Sequence, residues 1–128
     1  MAGAGGNYGM DKGYKPAVAL TKFRFVKFSA EDTVTVVTGK TDVVCGVAQY
    51  SVSTAELSKG KNASVRMEGI SEVEIASTVS VGDLAGLTAN GTIRTATTGD
   101  RIVGTVTHGA TTAGERASVM VEITSTVL

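Results

Sequence analysis

The sequence has no tryptophan, one proline, one cysteine and one histidine, and aromatic residues make up only 5% of its 128 positions. Each scarcity excludes something. A disulfide scaffold needs paired cysteines, and Cys45 stands alone. A zinc site built on thiolates fails for the same reason. With His108 as the single imidazole and no Gly-x-Ser-x-Gly motif, nothing assembles a hydrolytic triad. His108 closes an apolar run just before Gly109 and reads as an exposed strand end. Cys45, inside Val43-Val44-Cys45-Gly46-Val47, reads as a small buried hydrophobe with no base beside it to lower its pKa. No apolar run approaches the roughly 18–20 residues of a membrane helix. The first residues lack the basic-then-apolar order of a secretion signal.

Two further motifs are incomplete. Gly39-Lys40-Thr41 has the ending of a phosphate-binding loop, but Val34 stands where that loop needs its first glycine, and a strand follows instead of a helix. Glu68, Glu72 and Glu74 make a small acidic group that reads as a solvated strand face rather than a metal site. No catalytic, cofactor-binding or metal-ligating residue is therefore expected.

Valine and threonine are abundant, at 18 each, and both suit a pleated sheet better than a helix. Thr33–Thr38, Ala63–Glu68 and Ala117–Ile123 alternate apolar and polar residues, the period of a half-buried strand. Val43–Ala48 and Ile102–Val106 are continuous apolar runs of strand length, expected to be buried on both faces. Ser53-Thr54-Ala55-Glu56 has the spacing of a capping box, and Gly60 limits the helix to about one turn. Gly69 reads as a bulge or bend before a separate short strand, and Asn90-Gly91 as a two-residue hairpin turn with positive φ at both positions. The result is eight to ten short strands: an all-β fold, a small β-sandwich or β-barrel with an extended N-terminal arm. Gly60–Glu68 also echoes Gly114–Glu122, and each follows an apolar run with a central glycine, Gly46 or Gly104. The echo is either chance in a chain rich in glycine, valine and serine, or one strand–turn–strand unit used twice.

The zero net charge conceals a division. Residues 1–30 carry five basic residues and one acidic, a net of +4, and residues 31–128 carry seven basic and eleven acidic, a net of −4. Five dispersed cations do not make the clustered charge that phosphate binding needs, so no nucleic-acid partner is expected, and no membrane partner either. Five of the 16 glycines fall in the first thirteen residues. That divides the chain into an arm, residues 1–20, and a β domain, residues 21–128. Tyr8, Met10, Tyr14, Lys15 and Pro16 interrupt the glycines with large, charged or rigid groups, and are the candidate partner-binding residues of the arm.

The order of the motifs carries a resemblance. Val44-Cys45-Gly46-Val47-Ala48-Gln49 is followed by Gly60-Lys61-Asn62-Ala63-Ser64-Val65, then Val81-Gly82-Asp83, Asn90-Gly91-Thr92-Ile93, Ile102-Val103-Gly104 and Ala113-Gly114-Glu115. Over residues 43–123 this resembles the capsid decoration (cement) proteins of tailed bacteriophages. The resemblance implies a mainly β, homotrimeric virion protein without an active site. Its partners would be the major capsid protein and copies of itself, on the outer surface of the capsid, where it would stabilise the shell. In several of these proteins an N-terminal arm reaches a neighbour. The alternatives are another small β virion subunit, of the tail-tube or head-completion kind, or a carbohydrate-binding β module, which the shortage of aromatics disfavours.

Overall fold

The computed structural model describes residues 8–124 and 126–128. In chain order the elements are β1 (Tyr8–Pro16), β2 (Phe25–Ala30), β3 (Thr33–Val36), β4 (Val44–Ala48), α1 (Thr54–Ser58), β5 (Ala63–Glu74), β6 (Leu84–Leu87), β7 (Ile93–Thr95), β8 (Ile102–His108) and β9 (Arg116–Val121). The all-β expectation holds. The strands form one nine-stranded mixed sheet in the order β1-β3-β2-β4-β5-β9-β8-β6-β7.

The sheet closes on itself twice. β1 runs parallel to β3 at Lys15–Thr33 and antiparallel to β5 from Tyr8–Ile70 to Tyr14–Ala63, so β1 to β5 form a small barrel. Beyond β5, Ile75 bridges Ile93 in parallel, which closes the far part of β5 with β9, β8, β6 and β7. β5 belongs to both rings. It runs unbroken for 12 residues, passing Gly69 at φ 98° without ending, where the sequence predicts a break. The glycine supplies the left-handed conformation that other residues resist, so the strand twists from one ring into the next.

The sequence echo is a structural duplication. The order β3-β2-β4-β5 recurs as β7-β6-β8-β9. The register recurs as well: Phe25–Val47, Val26–Gly46 and a bulge in the first half match Leu84–Thr105, Ala85–Gly104 and a bulge in the second. A Cβ on Gly46 would stand 2.3 Å from the Arg66 carbonyl oxygen, and one on Gly104 would stand 2.2 Å from that of Met120. Arg66 and Met120 are themselves equivalent in the echo. Each central glycine is thus required by the close approach of the same neighbouring backbone.

Two cores result. Tyr14, Leu20, Val26, Val34, Cys45 and Val65 are among those filling the first barrel. The second core joins the inner face of the second ring, including Val73, Ile93, Val103 and Val119, to Phe25, Val44 and Val47 from the outer side of the first. β4 therefore lies between two cores, and all five of its residues are buried, as its apolar run predicts; Val43, the first residue of that run, lies outside the strand and is exposed. The helix forms as expected. The Ser53 hydroxyl accepts from the Glu56 N–H, and the Glu56 carboxylate accepts from the Ser53 N–H. The Asn90-Gly91 turn differs from the expectation. It is a longer loop in which only Gly91 has positive φ, and the Asn90 side chain accepts bonds from the hydroxyls of Thr88 and Thr92. Those side-chain bonds take over the role of a tight turn.

Candidate functional site

The candidate arm residues are distributed between the inside and outside of the molecule. From Tyr8 onward the segment is a strand of the chain's own sheet, and the earlier part of the arm, residues 1–7, lies outside the described residues. Tyr14 is buried in the first core, its ring edge-on to Phe28 at 5.7 Å. Burial pushes its phenol above the usual value. Pro16 is also buried. Lys15 and Ala17, on either side of it, donate their N–H groups to the carbonyls of Asp32, just before β3, and Val34 within it, and the missing N–H of Pro16 falls where the pairing with β5 has already ended. Met10 and Lys15 are exposed, so of the candidate arm residues these two are open to a partner among those whose side chains are described. Asp11 fixes the strand in place. Its carboxylate accepts two bonds from the Arg66 guanidinium, at 2.7 and 3.0 Å.

The buried polar groups serve structure. Asp100 is fully buried and holds Arg94 through two bonds of 2.9 and 2.8 Å, while accepting from the Thr97 N–H. The Arg94 bonds, reinforced by Thr97, hold its carboxyl far below the usual range despite burial. Asp42 occupies the equivalent turn of the first half and caps the N–H groups of Thr38 and Gly39. Burial raises its pKa, but those bonds and Lys27 outweigh that and leave it lowered. Arg101 donates to the carbonyls of Thr41 and Thr124 and pins the last segment against the β3–β4 loop. Cys45 is buried, and burial raises its pKa. His108 ends β8 and is exposed. Among the described residues no group of three or more His, Cys, Asp and Glu side chains is placed to hold a metal ion. Among the described residues no helix is long and apolar enough to cross a membrane.

The outer wall of the second ring has a different character. Cross-strand register puts Ile70, Met120, Thr105 and Leu84 in one row over β5, β9, β8 and β6. Met120 is 46% exposed and Leu84 47%. Glu68 and Glu122 flank the row, both exposed and neither in an ion pair among the described residues. The sequence reading did not single out this row. Its signal is Met120, which takes an outward position in the alternating run Ala117–Ile123, where a polar residue is expected.

The chain shares its fold with a phage head-fiber base. The structure is that of the N base of head fiber gp8.5 in bacteriophage phi29, with a TM-score of 0.67 and 16% sequence identity, over 90% of this chain and 95% of that one. No protein-family model matches the sequence, and no curated protein matches it. The likeness takes in nearly the whole of both chains, so it extends over both rings and β5 between them.

Proposed function

We propose that this protein is a structural, non-enzymatic subunit of a phage virion, attached to the outer surface of the head. The observation that carries this reading is the fold shared with a head-fiber base over nearly the full length of both chains. The order of motifs over residues 43–123, similar to that of capsid decoration proteins, points the same way and supplies the finer statement. The protein acts as a capsid decoration or cement protein, binds the major capsid protein, and assembles as a homotrimer that strengthens the lattice. Met10 and Lys15 are its exposed contacts on β1. Tyr14 and Pro16 support those contacts from inside the core, and Tyr8 begins the strand that carries them.

The test uses the full-length chain and purified heads lacking it. Co-sedimentation at saturating, stoichiometric occupancy, with density on the outside of the shell in electron cryomicroscopy, is the expected result. A protein that stays in the supernatant at every concentration, or binds only tails, overturns the reading.

A further inference from the structure

We infer that the outer wall of the second ring, around Ile70, Met120 and Leu84, is where a second copy of this chain docks, head to tail, through the end that carries Lys15 and Lys59. The inference rests on the reading of the protein as a self-assembling subunit of the head, and names the surface that joins its copies.

The first argument comes from the duplication. The equivalent row in the first half is Phe25, Val47, Arg66 and Asp11. Phe25 and Val47 are buried there because the second ring packs over them, and Arg66 is 7% exposed. The row Leu84, Thr105, Met120 and Ile70 occupies the same place on the second ring, and no described element of the chain covers it. Where the first half has an ion pair, Arg66 with Asp11, the second has the apolar pair Met120 with Ile70. Met120 and Leu84 are exposed, Ile70 and Thr105 half-buried between and beside them, and apolar side chains set in a polar rim are the form of a protein-binding surface.

The second argument is charge. Glu68 and Glu122 give the wall an acidic rim that has no ion pair among the described residues. The opposite end carries Lys15 and Lys59 beside two ion pairs, Lys12 with Asp32 and Lys61 with Glu56. Lys15, Pro16, Leu57 and Lys61 line a cleft beside Gly60, and Lys59 follows the helix. Lys61 is engaged with Glu56 at 2.9 Å, whereas Lys15 and Lys59 have no ion pair among the described residues. Lys15 follows Tyr14, which pairs with Ala63, and the apolar row crosses β5 at Ile70; those seven steps at about 3.3 Å each place the two surfaces about 23 Å apart. They cannot meet within one chain. Between two chains they are complementary in charge, and each offers apolar surface to the other. Contact between two different patches of identical chains is heterologous, so it repeats until a ring closes.

The experiment is a charge exchange read by sedimentation and by head binding. Glu68→Lys with Glu122→Lys should weaken self-association by about tenfold or more, as should Lys15→Glu with Lys59→Glu, because each places like charges across the contact. The chain carrying all four changes should associate again, since both sides are then reversed. Met120→Asp should dissociate the assembly, and an unchanged melting temperature shows that the chain is folded. A wild-type chain that is monomeric at tens of micromolar, or pairwise variants that keep full association, would overturn the inference. If the Glu68/Glu122 variant keeps its assembly but loses the head, the wall faces the shell: the inference fails and the proposed function stands. If no variant or wild-type chain binds heads while the charge exchange behaves as stated, the proposed function fails and the docking surface stands.

Discussion

The two halves of the molecule share a strand order, a bulge and a central glycine, yet they solve the same positions differently. At the turn before β4, Asp42 is partly open to solvent and paired to Lys27; at the equivalent turn before β8, Asp100 is fully buried and held by Arg94. On the outer row, Arg66 and Asp11 form an ion pair, whereas Met120 stands open beside a half-buried Ile70. The backbone pattern is what the duplication requires, since the same glycines face the same carbonyl oxygens. Side chains on that pattern are free to diverge according to what covers them. The first half is covered by the second, and its charges are neutralised where they enter the interior.

The comparison can be broken or sharpened by experiment. The largest effect should come from Asp100→Ala, which removes the fully buried carboxylate that accepts from Arg94 and from the Thr97 N–H and hydroxyl, and should cost about 4 kcal/mol in urea unfolding. Gly46→Ala and Gly104→Ala should each cost about 3 kcal/mol, because the new methyl group meets a backbone carbonyl that cannot yield cheaply. Similar losses for the two support the equivalence, and a loss at only one breaks it. Next comes Asp11→Ile, expected to cost about 3 kcal/mol by taking the carboxylate from the nearly buried Arg66 guanidinium, while Asp11→Ile with Arg66→Met should return to within about 1 kcal/mol of the parent. That double variant gives the first half the apolar pair of the second. The smallest effect should be that of Asp42→Asn, about 1 kcal/mol by thermal melting.

The two aspartates also make a pH comparison. Both carboxyls are lowered in the folded protein, so each contributes stability that is complete above the ordinary carboxyl value of about 4 and is lost as pH falls through the folded value. Asp100→Asn should flatten the loss of melting temperature on acidification, and Asp42→Asn should flatten it less. An unaltered acid profile for Asp100→Asn would show that its ion pair does not form.

Much of this was legible along the chain, and the reason is local. The alternation of Ala117–Ile123, the apolar run of Val43–Ala48 and the capping box at Ser53 each depend on neighbours within a few residues; the capping box forms as read, while β9 ends at Val121 and the run is buried only from Val44 onward, with Val43 exposed. The echo between Gly60–Glu68 and Gly114–Glu122 was visible but could be settled only by register. β1 was not legible. Its glycines and its irregular alternation carry no strand period, and it forms because β5 offers a second edge some 55 residues away, where Arg66 meets Asp11. Tyr14 looked like an anchor for a partner, and the cavity it fills is made by strands far from it in sequence. The exposed row is composed of residues from four strands, so no single stretch announces it. Phe23 is similar: its φ of 63° is unusual for a bulky residue, and is held because its N–H meets Ala48 and its carbonyl meets Glu74.

The sharing of β5 has a mechanical consequence. Two barrels joined by a linker could swing, and a pull would part them at the joint. Here the joint is a strand, stitched along both edges to β1, β4 and β9 by bonds that lie across its length. A load along that strand falls on many bonds side by side instead of one after another. Such a body stretches little, has no hinge to open first, and gives way late and as a whole.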